Sequence, residues 1–76
     1  MDVVLIRHAR DRMTLRGITE TMLMDCLEKP DAKAKGYAGR EVFYKRYGDK
    51  YISVVFEVHD TTRHVITAIW KDKLKN

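Results

Sequence analysis

Hydrophobic positions follow a helical period in the first third of this chain and alternate along the rest. Residues 1–6 predict a short strand or a lead-in to the first helix. Residues 7–16 predict that helix, and Gly17 is a natural C-terminal stop for it. Thr19 is the predicted N-cap of a second helix that runs to about Lys29. Two short helices joined by a tight turn form a helical hairpin.

Strand-like alternation begins after the second predicted helix. A weak strand is predicted over residues 33–37 and a stronger one over residues 42–47, followed by a glycine-first hairpin turn at residues 48–49. A mostly apolar strand is predicted over residues 65–70. The strand before it alternates four apolar residues that should face the core, namely Ile52, Val54, Phe56 and Val58.

These elements predict an α+β domain with the order ααβββ(β), in which an N-terminal helical hairpin packs on a three- to four-stranded antiparallel sheet. The helices should cover one face of the sheet. The opposite face should remain half-open to solvent. That open face would carry Tyr51, Ser53, Val55 and Glu57. It is expected to be a binding surface or an interface in a homodimer. The tyrosines are expected to pack on the sheet rather than to stack on bases.

Composition narrows the classes of function. The 76 residues make one domain, 1–76, with a formal net charge of +4 and a pI near 9.4, which favours RNA or an acidic protein as partner. Val3 to Ile6 is the longest apolar run and is too short to span a membrane, and no secretion signal is visible. Cys26 is the only cysteine, so we expect a buried thiol and a cytoplasmic protein.

Three cationic residues, His8, Arg12 and Arg16, follow one another at intervals of four in the first predicted helix. This spacing puts them within an arc of about 80° on one helix face. The core stripe of that helix would be Ile6, Ala9 and Met13, at about 100° from the cations. Guanidinium groups beside an imidazole suit a phosphate-bearing ligand.

The segments that carry a family resemblance are His8-Ala9-x-x-Arg12-Met13-x-x-Arg16-Gly17-Ile18-Thr19, then Pro30, Gly39-Arg40 and Val65-Ile66-Thr67. With these residues the chain resembles the bacterial domain of unknown function 4258 family, from His8 to Trp70. Members of that family are distantly similar to the BrnT and RelE toxins, which cleave RNA and are held in check by an antitoxin. The resemblance implies a RelE/BrnT-like fold, an RNA substrate and an acidic antitoxin-like partner.

Metal-independent RNA cleavage needs a base, an acid and cations around the phosphate. The predicted catalytic residues are His8 as acid–base group, with Arg12 and Arg40 on the phosphate. Substrate binding is assigned to Arg16, Tyr44 and Lys45, although Tyr44 and Lys45 point to opposite faces of one strand. No cofactor is expected. A metal site is not expected either, since no carboxylate or cysteine is arranged around His59 and His64.

Structural roles are open for the same residues. His8 is also suited to capping the first helix or bonding to the sheet, and Arg12 to pairing with Asp25 or Glu28. Arg16 is favoured at a helix C-terminus by the helix dipole alone. The alternative function is therefore a binding module without catalysis, which holds RNA or an acidic protein through the same basic face.

Overall fold

A computed structural model describes residues 2–72. In chain order, the elements are β1 Asp2–Leu5, α1 Arg7–Arg16, α2 Glu20–Glu28, β2 Ala32–Lys35, a 3-10 turn Tyr37–Gly39, β3 Glu41–Tyr47, β4 Lys50–His59 and β5 Thr62–Lys71. The strands form one sheet in the order β1-β5-β4-β3-β2. No helix in residues 2–72 is long and apolar enough to cross a membrane.

The sheet differs from the predicted one in its first strand. The α+β class is confirmed, but the sheet has five strands and is mixed, because β1 pairs in parallel with β5. Val3 and Leu5 lie opposite Arg63 and Val65 in this register and pack against the core. The possible strand predicted in residues 1–6 is confirmed for Asp2–Leu5. The predicted order ααβββ(β) is found after β1 and is incomplete by that one strand, whereas the wholly antiparallel sheet is wrong.

Both helices begin and end close to where the sequence predicts. Gly17 has φ 71°, the left-handed conformation that suits glycine after a helix, and its N–H donates to the carbonyls of Met13 and Thr14. The Thr19 hydroxyl accepts from the Met22 N–H and caps α2. At the start of α1, Ile6 occupies the N-cap position and is exposed, so it does not join the core stripe.

The core lies between the helices and one face of the sheet, which we call the inner face. Its fully or nearly fully buried residues include Ala9 and Met13 of α1, Leu23, Cys26 and Leu27 of α2, and Phe43, Ile52, Val54, Phe56, Val65 and Ala68 of the sheet. Three of the four residues predicted to face the core from β4 are in this set. The Phe43 and Phe56 rings meet edge to face with their centroids 4.9 Å apart.

Val58, the fourth of these residues, is 46% exposed. It pairs with Arg63 near the end of the β4–β5 hairpin. The Arg63 guanidinium donates to the carbonyl of Leu27, near the C-terminus of α2, and lies over the Phe43 and Phe56 rings. Val58 is therefore on the predicted face but beyond the end of α2, where no helix covers it.

The opposite face of the sheet, here called the outer face, has neither helix packed on it. Strand pairing places Tyr51, Ser53, Val55 and Glu57 of β4 there, together with Val42 and Tyr44 of β3 and His64, Thr67 and Ile69 of β5. A register shift between Val55 and Phe56 leaves Ile66 as an extra residue in β5. The predicted half-open face therefore exists in the fold, and it is the surface on which a ligand has room.

Candidate functional site

The three cations predicted as one stripe have two different environments. The Arg16 guanidinium donates to the Ala68 carbonyl at 2.9 Å and to the Thr67 hydroxyl at 3.5 Å, and the Trp70 indole N–H donates to the Arg16 carbonyl at 2.7 Å. Thr67 lies on the outer face and Trp70 pairs with the inner-face residue Ile52. Arg16 therefore anchors the last turn of α1 to β5 through both its guanidinium group and its backbone carbonyl.

His8 and Arg12 are exposed on α1. Within residues 2–72 neither takes part in a side-chain hydrogen bond or an ion pair, and Arg12 does not pair with Asp25 or Glu28. The ion pairs of this helix belong instead to Arg7 with Asp11 and to Arg10 with Glu20. The side chains of His8 and Arg12 are thus available to a ligand, whereas that of Arg16 is held by the fold.

Tyr44 and Lys45 lie on opposite faces of β3, as their spacing predicts. Tyr44 pairs with Ser53 and is half-buried on the outer face. Lys45 pairs with Ile52 on the inner face, and its ammonium group donates to the Lys29 carbonyl at 2.8 Å. Of the two, only Tyr44 is on the open surface.

Arg40 is part of a group of ionisable side chains on the outer face that we call the His–Glu–Arg cluster, consisting of Arg40, Glu57, His59 and His64. Arg40 Nε donates to Glu57 Oε2 at 2.9 Å, and His59 Nε2 bonds to Glu57 Oε1 at 3.0 Å. The His59 and His64 rings meet edge to face with centroids 4.8 Å apart. The cluster is assembled from the turn before β3 and from the β4–β5 hairpin.

Charge and hydrogen bonding stabilise the ionised form of Glu57 in this cluster. The hydrogen bond from Arg40, together with the one from His59, holds the pKa of the Glu57 carboxyl below its ordinary value. Glu57 therefore carries its negative charge at neutral pH and accepts from both neighbours. No group of three or more His, Cys, Asp or Glu residues in the described part of the chain has the arrangement of a metal site.

The turn that carries Arg40 also presents an aromatic side chain to solvent. Tyr37 is 91% exposed, in contrast to the expected packing of the tyrosines on the sheet. The Gly36 N–H donates to the Arg40 carbonyl, and the Arg40 N–H donates to the Tyr37 carbonyl. Ala38 has φ 58°, a left-handed conformation that an alanine rarely adopts. Tyr37 thus projects from a closed, strained turn next to the cluster.

The structure brings Arg40 together with residues other than its predicted partners. Arg40 contacts Glu57 of β4, whereas α1, which carries His8 and Arg12, packs against β5. No hydrogen bond or ion pair within residues 2–72 joins Arg40 to His8 or Arg12. The predicted residues are therefore divided between α1 and the outer face, and Lys45 lies apart from both on the inner face.

Cys26 and Tyr47 also have reactive side chains, but both lie away from the outer face. Cys26 is fully buried, as predicted, and burial raises the pKa of its thiol to about 12. Burial, followed by the charge of Asp25, raises the pKa of the Tyr47 phenol, whose hydroxyl donates to the Met22 carbonyl. Both belong to the packing of α2 on the sheet.

Comparison with known families matches a family model over residues 5–70, which is most of the chain. This chain belongs to the family described as domain of unknown function DUF4258. The family resemblance read from the sequence is therefore confirmed. No curated protein and no solved structure gives a significant match, so the similarity to the BrnT and RelE toxins remains an expectation.

Sequence reasoning missed the roles of four residues of this surface: Tyr37, Glu57 as a partner of Arg40, and His59 and His64 as a pair. The sequence does contain one signal that places Glu57, His59 and His64 together. Residues 57, 59 and 64 belong on one face if the hairpin turn lies at residues 60–61, because side chains alternate along each strand. The contact of Arg40 with Glu57 spans 17 residues and depends on how β3 pairs with β4, which a local pattern does not specify.

Proposed function

We propose that this domain binds single-stranded RNA on the outer face of its sheet and cleaves it without a metal ion. The observation that carries the proposal is the exposed side chain of Tyr37 in the same closed turn as Arg40, whose guanidinium bonds to Glu57 on a sheet face that no helix covers. An exposed aromatic ring offers a stacking surface to a base, and a guanidinium suits a phosphate, so this turn carries one group of each kind.

Electrostatics supports an anionic ligand. The chain carries a formal net charge of +4, and backbone phosphates attract such a protein at long range. Arg12 and His8 supply further cationic contacts from α1, where neither is occupied by an intramolecular partner in residues 2–72. In this proposal the predicted catalytic residues His8 and Arg12 bind phosphates of the RNA beyond the outer face, on α1, and Arg16 supports them by fixing the helix.

The wider proposal is that the domain acts as the ribonuclease of a toxin–antitoxin pair. An acidic antitoxin-like protein would then compete with RNA for the cationic groups. Co-expression of such a partner should relieve growth arrest caused by the domain. A domain that binds RNA without cleaving it would instead be a binding module.

Fluorescence anisotropy with a labelled single-stranded RNA tests the binding step. Tyr37→Ala removes a stacking platform worth about 1–3 kcal/mol per base, so we expect a roughly 5- to 150-fold loss of affinity. Tyr37→Phe should retain most of the affinity because the ring remains. Met24→Ala removes an exposed apolar side chain of α2 and is the matched control, with unchanged affinity expected.

Salt dependence tests the cationic contacts in the same assay. Replacing Arg12 with Gln should lower the slope of log affinity against log salt concentration by about 0.7, the value for one phosphate contact on a single strand. An RNA affinity that is unmeasurable at low salt, or equal for the parent and Tyr37→Ala, would contradict the proposed function.

A further inference from the structure

We propose that His59 and His64 are the acid–base pair of a metal-independent RNA cleavage site, with Arg40 as its phosphate-binding group and Glu57 as its positioning residue. This inference rests on the proposed function, and it moves the chemistry from the predicted His8 to the outer face. The four side chains form one connected cluster of ion pairs and ring contacts.

Glu57 determines which nitrogen of His59 carries a proton. An ionised carboxylate only accepts hydrogen bonds, so His59 Nε2, 3.0 Å from Glu57 Oε1, must be the protonated nitrogen. In neutral His59 the free lone pair is then on Nδ1, which makes no side-chain hydrogen bond within residues 2–72. Glu57 thus orients the imidazole and leaves Nδ1 to accept a proton from a substrate hydroxyl.

His64 supplies a second imidazole in direct contact with the first. It lies opposite Glu57 in the β4–β5 register, and its ring centroid is 4.8 Å from that of His59. An imidazole accepts a proton in its neutral form and donates one in its protonated form, so two rings in contact can take both roles in one reaction. A base and an acid are therefore present side by side.

Arg40 is positioned to hold the phosphate. Its Nε is bonded to Glu57, while neither Nη group is bonded to a described residue, and the side chain is 39% exposed. The closed turn from Gly36 to Arg40 fixes the backbone from which the side chain extends. With Nε bonded to Glu57, the guanidinium can still offer the N–H groups of its two Nη atoms to phosphate oxygens as negative charge grows on them.

The reaction balances without a further reactant. His59 Nδ1 takes the proton of the ribose 2′-hydroxyl while O2′ forms a bond to phosphorus. The bond from phosphorus to O5′ breaks, and protonated His64 gives its proton to the leaving O5′. The products are a 2′,3′-cyclic phosphate and a 5′-hydroxyl, and proton exchange with water restores the two imidazoles.

Other charged groups around the pair contribute to its pH dependence. Arg40 faces it from the turn before β3 and Glu57 from β4, Asp60 lies in the adjoining turn, and Asp2 of β1 pairs with Thr62 on the same face. Cleavage by such a pair has a bell-shaped pH profile, since it requires one neutral and one protonated ring.

The decisive experiment measures cleavage of an end-labelled RNA and anisotropy binding in parallel, in the presence of a metal chelator. The variants His59→Gln and His64→Gln are each expected to lower the rate by about 100-fold or more while RNA affinity changes less than threefold. Each should also lose one limb of the pH profile. An RNA with a 2′-deoxy sugar at the cleaved position should bind normally and remain intact.

Glu57 requires a separate comparison because it acts through His59. Glu57→Ala should lower kcat with little change in KM, and Glu57→Gln should recover part of kcat because its side-chain oxygen still accepts from His59 Nε2. Lys50→Ala removes an exposed charge at the opposite end of β4 and is the matched control, with unchanged cleavage. Circular dichroism of every variant verifies that the fold is retained.

Failure of this inference and failure of the proposed function are distinguishable. If the parent cleaves RNA but the folded His59 and His64 variants cleave equally well, the catalytic assignment is overturned and RNA cleavage stands. If the parent binds RNA and leaves it intact, the assignment is overturned and a binding module remains. If the parent does not bind RNA at all, both proposals are overturned.

Discussion

Two arginines of α1 have different roles. Arg12 and Arg16 are one helical turn apart, yet only Arg16 is used by the fold, because the end of the helix reaches the Ala68 carbonyl. The regular spacing of His8, Arg12 and Arg16 predicted a common face but not this division. Helical periodicity gives the direction of a side chain and not the partner that it meets.

Replacing Arg16 with Ala should destabilise the domain by about 1–3 kcal/mol, since the Ala68 carbonyl loses a charged donor in a partly buried position. Urea unfolding measures the effect. Arg12→Ala is the matched control and should change the free energy of unfolding by less than about 0.5 kcal/mol. Equal effects of the two substitutions would contradict a structural role specific to Arg16.

Cys26 should be inert towards thiol reagents in the folded protein. Its pKa of about 12 leaves very little thiolate at pH 8, and its side chain is fully buried. Labelling by a disulfide reagent should be at least 100-fold slower than in urea-unfolded protein. Rapid labelling under native conditions would show that the packing of α2 opens frequently.

Glu57 should contribute to stability in a defined pH range. Its folded-state pKa is lowered from 4.5, so its stabilising effect is complete above that value and is lost as the pH falls through the folded-state pKa. The difference in urea midpoint between the parent and Glu57→Gln should therefore be largest at pH values above 4.5 and should shrink as the pH falls below it, until the carboxyl is protonated in both states. A difference that does not depend on pH would contradict an ionised Glu57 bonded to Arg40 and His59.

At the scale of elements, local signals predicted the helices and most of the hairpins. Gly17, Thr19 and the alternation along β4 each act over a few neighbouring residues, and each has its predicted role. The partner of β1 could not be predicted in this way. A four-residue strand that pairs in parallel with β5 is defined by contacts across some 60 residues.

The cap of α2 offers a test at this scale. Thr19→Ala removes the acceptor for the Met22 N–H and should destabilise the domain by about 1 kcal/mol. Thr21→Ala is the matched control within the first turn of the same helix, where the exposed hydroxyl is not used as a cap, and it should be close to neutral. Thermal unfolding of the two variants would distinguish loss of the cap from a general effect of removing threonine.

At the scale of the whole molecule, the sequence predicted an open sheet face but not which chemistry it carries. The α+β class, the side of the sheet that the helices cover and the opposite faces of Tyr44 and Lys45 all follow from periodicity. The His–Glu–Arg cluster requires the registers of β3 with β4 and of β4 with β5 together. Those registers are properties of the assembled sheet.

The parallel pairing of β1 with β5 has a consequence for biosynthesis. Within the described residues β1 comes first and pairs with β5, which comes last, so β1 has no neighbour in the sheet until residues 62–65 have been synthesised. The same segment delivers His64 to His59. Before that point a growing chain lacks both the complete five-stranded sheet and the complete cluster. Any activity of the cluster would begin only when synthesis of the domain is nearly finished.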